Sequence, residues 1–294
     1  MITYRTIDYI NHTDRDEIIR LYREIFHVDF TREYDFWYGA DWAGKPVGVI
    51  AVDQETSRCV GHFTTLCFQA VIDEKDQIFR MSMGFMTDPE YRGRGIATNL
   101  YFEMKKAILE QGEENCFIIG FPNDNSVHMH VSRMEYTEHR RFHFVLLPEQ
   151  TAGNRKDFTK ITLFDVTDSD AGAGYNHLNH SLPYLKKRYA DPKYEIYRSE
   201  SGNLFISTRF RDKFDILYWS DVSNEKELLE FASFLYGKEG VQRVTTWNSA
   251  AFLNQYPAEE REYHMCINGL NCTDMHVQKI LQPWIFYMGD CELF

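Results

Sequence analysis

The sequence lacks the marks of several classes of protein. None of its apolar runs approaches the roughly 18–20 residues that a membrane-crossing helix needs, so no membrane span and no membrane partner are expected. The opening stretch, MITYRTIDYINHTDRDE, holds neither a basic n-region nor an apolar core, and no secretory signal is read from it. The six cysteines, at 59, 67, 116, 266, 272 and 291, are scattered and include no CxxC pair. They read as free thiols of a reducing cytoplasm, against a disulfide framework or a zinc knuckle. Neither HExxH nor a Cys/His cluster occurs, so no metal is expected. Positive charge is short as well: 32 Lys and Arg face 44 Asp and Glu, for a net charge of -12. That balance offers no general basic face to nucleic acid. It still permits an anionic small ligand, because a few local backbone N–H groups override a global field.

Apolar and aromatic residues are plentiful. They make up 44% and 15% of 294 residues, enough to bury substantial cores, and the length suits two domains of ordinary size or one large one. The first half alternates strand and helix patterns. Strands are expected at Thr3–Tyr9, Val47–Val52, Cys59–Val71, Ile78–Thr87, Phe117–Phe121 and Arg141–Leu147. A helix begins near Thr13 or Asp14, with Ile18, Ile19, Tyr22, Ile25 and Phe26 on one side. A second starts at Ile96, with Leu100, Met104 and Ile108 spaced by four and Gly112 as its stop. A short third helix covers Ser126–Met134.

The stretch Leu147–Asp157 is polar, contains Pro and Gly, and reads as a linker. Beyond it the order restarts. Strands are expected at Thr159–Val166, Lys193–Arg198, Leu204–Trp219, Val241–Trp247 and Trp284–Met288, with helical segments at His180–Tyr189, Asn224–Tyr236 and Ser249–Tyr256. Phe36–Asp41 resembles Lys187–Pro192, and the strand–helix pair Phe117–Tyr136 has a counterpart in Val241–Tyr263. A degenerate internal duplication follows, with domains at 1–150 and 151–294.

The segment richest in chemistry runs from Phe85 to Leu100, FMTDPEYRGRGIATNL. A strand enters a loop with glycines at 93 and 95, which opens directly onto an amphipathic helix. Glycine permits the tight turn and a close approach of backbone to ligand. The first turn of the helix supplies unpaired N–H groups and the positive end of its dipole. Arg92 and Arg94 add charge, so the whole can cradle a pyrophosphate. Gly39–Pro46 mimics a P-loop, G-x4-G-K, but Pro46 stands where magnesium needs a hydroxyl and a strand follows in place of a helix.

The run Arg92-Gly93-Arg94-Gly95-Ile96-Ala97 fits Arg/Gln-x-x-Gly-x-Gly/Ala, and resembles the acyl-CoA signature of the GNAT superfamily of N-acyltransferases. Gly120-Phe121-Pro122-Asn123-Asp124-Asn125-Ser126 is similar to the GFPN-x-x-S segment of one GNAT branch, and Val60-Gly61-His62-Phe63 to its second strand. The resemblance covers residues 1–147. Residues 155–294 look like a second GNAT-like repeat whose equivalent loop, Tyr218–Glu225, has no glycine and carries carboxylates, so it is not expected to hold CoA.

The resemblance implies an α/β (mixed α+β) fold of two repeats, each a mixed, mostly antiparallel sheet flanked by helices. It also implies an acyl-CoA donor, acetyl or longer. Backbone groups of Phe85, Met86 and Thr87 would pair with the pantetheine arm, and the amides of Gly93, Arg94, Gly95, Ile96, Ala97 and Thr98 would hold the pyrophosphate. Asn123, or Asn125, would bond the lower pantetheine, with Ser126 capping the helix. The Met86 or Thr87 amide is the natural oxyanion donor.

Two expected catalytic groups are missing. Where family members place a strand-four carboxylate base this chain has Met81, and where they place a tyrosine acid it has Val131. His62, His128 and Ser82 are the replacements considered, with His130 set two residues from His128 and so on another helix face. Some tandem GNAT enzymes use a terminal carboxylate, whereas the tail Asp290–Phe294 reads here as a frayed acidic end. An amino-sugar amine, more acidic than an alkyl ammonium of pKa about 10, would need only a water relay. The aromatic stretches Tyr34–Trp42 and Tyr184–Tyr197 are either core or an acceptor pocket, in which Trp37, Tyr38, Arg188 and Tyr189 would hold a sugar or base. The implied function is acyl transfer from CoA to a primary amine, with a nucleotide-linked amino sugar as the favoured partner. Another small amine, a protein lysine, or a non-catalytic acyl-CoA-binding role are the alternatives.

Overall fold

The computed structural model of the protein describes residues 1–39, 42–149, 157–167, 176–282 and 284–290. The centre of the expected linker, the last two residues of the Phe36–Asp41 echo and the tail after Asp290 lie outside the described residues. In chain order the elements are β1 (Ile2–Thr6), α1 (His12–Phe26), α2 (Thr31–Trp37), β2 (Val47–Asp53), β3 (Arg58–Ile72), β4 (Lys75–Thr87), α3 (Ile96–Leu109), β5 (Phe117–Gly120), α4 (Asp124–Arg133) and β6 (Thr137–Leu146). There follow β7 (Thr159–Ile161), β8 (Asn176–Leu178), α5 (Leu182–Arg188), β9 (Tyr194–Arg198), β10 (Leu204–Phe210), β11 (Lys213–Trp219), α6 (Glu225–Tyr236), β12 (Arg243–Trp247), β13 (Ala258–Gly269), α7 (Asp274–Ile280) and β14 (Trp284–Ile285). Among the described residues no helix is long and apolar enough to cross a membrane, and the five described cysteines are free.

The chain forms two compact units that are not contiguous halves. The first takes residues 1–69, 77–140 and 264–281, the second 70–76, 141–263 and 282–294. A cut at 150 therefore does not separate them, because strands are exchanged. β13 comes back to pair antiparallel with β5, Cys266 opposite Gly120 and Gly269 opposite Phe117. β6 runs on from the first unit into the second, where it pairs antiparallel with β12, Thr245 opposite Leu146.

The units share a plan of mostly antiparallel strands with one parallel crossover. In the first, β1 and β3 flank β2 antiparallel, and β4 leads through α3 to β5, which lies parallel to β4 with Arg80 opposite Ile118. In the second, β9 and β11 flank β10 antiparallel, and β11 leads through α6 to β12, parallel to β11 with Lys213 opposite Arg243. Each crossover helix is seated by its apolar stripe. Ile96, Leu100, Met104 and Ile108 of α3, spaced by four, are buried against Val49, Ala51, Val60 and Ile118. In the second unit Phe231 of α6 packs on Phe205 and Phe158, with ring centroids 4.5 and 5.0 Å away.

Several elements differ from the sequence reading. Leu204–Trp219 is a hairpin, not one strand, turning at Arg211 with φ 58. Thr159–Val166 is extended only to Ile161, then enters a 3-10 turn at Leu163–Asp165 closed by reciprocal bonds between Thr162 and Asp165. α4 starts at Asp124, and β13 and α7 appear where no element was expected.

Candidate active site

The site is built where β4 outruns its neighbour. The parallel ladder joins Arg80 to Ile118 and Met81 to Ile119, and ends there, while β4 continues to Thr87. Phe85, Met86 and Thr87 thus lie beyond the β5 ladder, on an edge that an extended ligand can pair with. Just before them Gly84 takes a left-handed backbone, with φ 57. A Cβ on Gly84 would fall 2.3 Å from the Tyr22 hydroxyl, 2.6 Å from that of Tyr38 and 2.9 Å from His62 Cε1. Both the left-handed backbone and the three rings exclude any other residue there.

The loop after β4 is firmly held. Asp88 donates its N–H to Val60 O at 2.9 Å, and its carboxylate accepts the Glu90 N–H at 3.0 Å. The Tyr91 hydroxyl donates to Asp53 at 2.7 Å. Gly93 and Gly95 have φ of 77 and 76, and an added Cβ at either would meet nothing within 4 Å. The backbone is thus left-handed and bare on its outer side. Gly95 is the N-cap of α3, with no side-chain cap and no acid in the first turn. The N–H groups of Ile96, Ala97 and Thr98 have no intrahelical acceptor. Arg92 and Arg94 are exposed beside them. Arg92 Nε donates to Thr87 O at 3.4 Å, and Arg94 donates to Glu90 O at 3.2 Å while its guanidinium stacks 4.8 Å above the Tyr91 ring.

On the facing side Asn123 is the N-cap of α4, and Ser126 sits within the first turn instead of capping it. Ser126 Oγ donates to Asn123 Oδ1 at 3.1 Å. His264 of β13 is buried beneath this turn, its Nε2 2.7 Å from Asp124 and its Nδ1 2.8 Å from Glu138. It ties α4 to the start of β6, a tie invisible along the sequence because the partners are more than 100 residues apart.

The candidate acid–base groups occupy different environments. His62 is wholly buried, with Nδ1 2.6 Å from Gly84 O and Nε2 2.8 Å from Thr64 Oγ1. Burial pushes its pKa down to about 4, so it is neutral near pH 7. His128 is exposed on α4, whereas His130 is buried on Ser126 O at 2.9 Å, and burial lowers its pKa. Ser82 is half-buried and close against Gly120, where a Cβ would lie 2.5 Å from its hydroxyl. Met81 is buried and Val131 is 44% exposed, so neither position offers a titratable group.

The four acceptor-pocket candidates divide between the units. In the first, Trp37 stacks on Trp42 at 5.3 Å, and Tyr38 packs among Tyr9, Tyr34 and Phe30, all but Tyr9 and Trp42 buried. In the second, the buried Arg188 guanidinium donates to Gly289 O at 2.8 Å and to the Tyr194 hydroxyl at 2.7 Å. Tyr189 is buried beside it, its hydroxyl without a hydrogen-bond partner. Sequence reasoning missed Gly84, though a glycine inside the strand pattern Ser82-Met83-Gly84-Phe85-Met86 is itself a signal of close backbone approach.

With this geometry in view, comparison with known proteins is specific. Residues 4–136 match the family model described as Acetyltransferase (GNAT) family. No curated protein sequence matches the chain. Among solved structures, a probable N-acyltransferase from Enterococcus faecalis superposes with a TM-score of 0.67 at 14% identity, covering 95% of this chain and 75% of that one. A GCN5-related N-acetyltransferase from Kribbella flavida gives 0.63 at 13% identity, covering 92% and 72%. The N-myristoyltransferase of Saccharomyces cerevisiae, solved with bound myristoyl-CoA, gives 0.58 at 10% identity, covering 91% and 82%. These structural likenesses extend the fold over nearly the whole chain. Residues 4–136 thus resemble GNAT acetyltransferases, and together with these folds the match supports an acyltransferase.

Proposed function

We propose that the protein transfers an acyl group from acyl-CoA to a primary amine by direct attack, the amine of a nucleotide-linked amino sugar being the favoured acceptor. The observation that carries the reading is the pair of bare left-handed glycines opening onto an uncapped helix, beside the end of β4 that runs past its β5 ladder. That cradle fits a pyrophosphate: its donors are backbone amides, its outer face is open, and Arg92 and Arg94 flank it. The edge from Phe85 to Thr87 would pair with the amide groups of the pantetheine arm. Asn123 at the start of α4 would meet the same arm from the other side.

Acyl-CoA supplies a thioester, whose carbonyl carbon the neutral amine attacks as the CoA sulfur leaves as thiolate. This chain's contribution is positional and electrostatic: it holds the donor extended and offers backbone N–H groups to the carbonyl oxygen. His62 is engaged at both nitrogens, so the proton leaving the amine goes to water or to the exposed His128. A weakly basic acceptor needs no stronger base, which favours an amino sugar over an alkyl amine. The acidic chain would suit a cationic acceptor, so other small amines and protein lysine are the second choice. We read the enzyme as cytoplasmic.

The missing acid–base side chains at Met81 and Val131 favour one rival, a non-catalytic acyl-CoA-binding protein. Free thiol release on mixing the protein, acetyl-CoA and a panel of amines, nucleotide-linked amino sugars included, separates the two. We expect release with an amino-sugar acceptor. CoA binding without thiol release across the whole panel supports the rival.

A further inference from the structure

A chain of polar groups runs beneath Gly84 of β4. The Tyr9 hydroxyl lies 2.7 Å from Thr64 Oγ1, Thr64 Oγ1 lies 2.8 Å from His62 Nε2, and His62 Nδ1 lies 2.6 Å from Gly84 O. His62 is fully enclosed, and Tyr22 and Tyr38 close in on the same glycine. A neutral imidazole carries one proton, and a carbonyl oxygen only accepts. The His62 proton is therefore on Nδ1, donated to Gly84 O. Nε2 then accepts from the Thr64 hydroxyl, and Thr64 in turn accepts from Tyr9. One carbonyl sets the direction of every bond in the chain.

That carbonyl also has a far side. A trans peptide is planar, so the C=O of Gly84 and the N–H of Phe85 point in opposite directions. With the carbonyl turned to the His62 ring, the Phe85 N–H points away from that ring, on a stretch of β4 that runs past the last β5 partner at Met81. Glycine by itself leaves this peptide free to rotate. The bond from His62 is one restraint on that freedom.

We propose that His62 is a positioning residue: through the Gly84 carbonyl it aims the Phe85 N–H at the carbonyl oxygen of the bound thioester, where negative charge develops during attack. The proposal rests on the acyl-CoA reading above. It moves the oxyanion donor from Met86 or Thr87 to Phe85, and gives His62 a geometric task in place of proton transfer.

Two substitutions separate the ring nitrogens. His62→Asn keeps a donor where Nδ1 stands, whereas His62→Gln keeps polarity where Nε2 stands and loses the bond to Gly84. Calorimetric titration with CoA and with acetyl-CoA, and the carbonyl resonance of [1-13C]acetyl-CoA, read the effect with no acceptor needed. In the unsubstituted protein the bound carbonyl resonance should move downfield. In His62→Gln that shift should vanish and acetyl-CoA should bind about three- to tenfold more weakly, with CoA affinity unchanged. His62→Asn should retain both properties. The proposal is overturned if the unsubstituted protein shows no downfield shift, if Gln retains it, or if Asn loses as much as Gln. Should the His62 variants fail to fold, the 15N resonances of the His62 ring in the unsubstituted protein decide: the proposal requires the proton on Nδ1, and a proton on Nε2 alone overturns it. Absence of any CoA binding to the unsubstituted protein would count against the acyl-CoA reading itself, which keeps the two failures apart.

Discussion

Two crossovers of one design end in opposite electrostatics. In the first unit, β4 passes through glycines to α3, whose N-cap Gly95 provides no side chain and whose first turn has no acid. In the second, β11 passes to α6, whose N-cap Asn224 accepts the Glu227 N–H at 3.2 Å and whose first turn carries Glu225 and Glu227. Glu227 is buried, and its carboxylate accepts from Ser201, Asn203 and Asn224. Asp221 accepts both the N–H of Ser223 at 3.2 Å and its hydroxyl at 2.7 Å. One helix end leaves its amides open to an anion, and the other has supplied its own carboxylates. On the acyl-CoA reading proposed above, the same strand–helix–strand plan would serve ligand binding or scaffolding according to a few residues in one loop.

The contrast is broken most directly at Gly95. Asp is among the residues that tolerate a left-handed backbone, and the space outside Gly95 is open. Gly95→Asp should therefore leave the circular dichroism and melting temperature nearly unchanged while putting a carboxylate where the pyrophosphate belongs. We expect a loss of CoA affinity of about 100-fold or more, equivalent to about 3 kcal/mol. Unchanged affinity would mean that the anion binds elsewhere.

Acid should distinguish the units next. The histidines whose pKa is lowered, His62 to about 4 with His130 and His276 in the same direction, all lie in the first unit, and desolvation is the leading cause for each. Their folded pKa falls below the unfolded value, so below about pH 6.5 the unfolded chain binds more protons. Stability from them is full above that pH and drains as pH falls, for His62 down to about 4, by up to about 1.4 kcal/mol per pH unit for that fully buried ring. Hydrogen exchange at pH 5 against pH 7 should show the first unit losing protection more than the second, and His62→Asn should lessen the difference. Equal loss in both units would contradict this.

In the second unit, Glu227→Ala should remove the buried carboxylate that Ser201, Asn203 and Asn224 donate to and cost about 2 kcal/mol, read as a lower denaturation midpoint. CoA affinity should not change. A smaller effect is expected from the exposed arginines. Arg92→Ala and Arg94→Ala should each weaken CoA binding about threefold and flatten its salt dependence, because their charges are screened while the amides are fixed. A loss from either as large as that from Gly95→Asp would shift the weight of binding from backbone to side chains.

Much of this could be read from the chain. The step from period two to period four at Ile96, and glycines at 93 and 95, announced the β4–α3 crossover because each rests on local sterics. The carboxylates of Tyr218–Glu225 likewise announced the altered second crossover. What stayed hidden was non-local or disguised. β13 begins Ala258-Glu259-Glu260-Arg261-Glu262, a charged run that reads as loop, and its later residues Cys266–Gly269 pair with the distant β5. The turn at Arg211 has no glycine or proline to mark it. The strand exchange that splits both units cannot appear in any local pattern. The relay from Tyr9 to Gly84 is closed by a Tyr9–Thr64 bond between residues 55 positions apart, which only the fold brings together.

The most direct test of the account is the number of CoA molecules bound per chain. Titration calorimetry of the full chain with CoA should give one site, occupied through the β4–α3 crossover and lost in Gly95→Asp. Two sites per chain, or one site that survives Gly95→Asp, would contradict it.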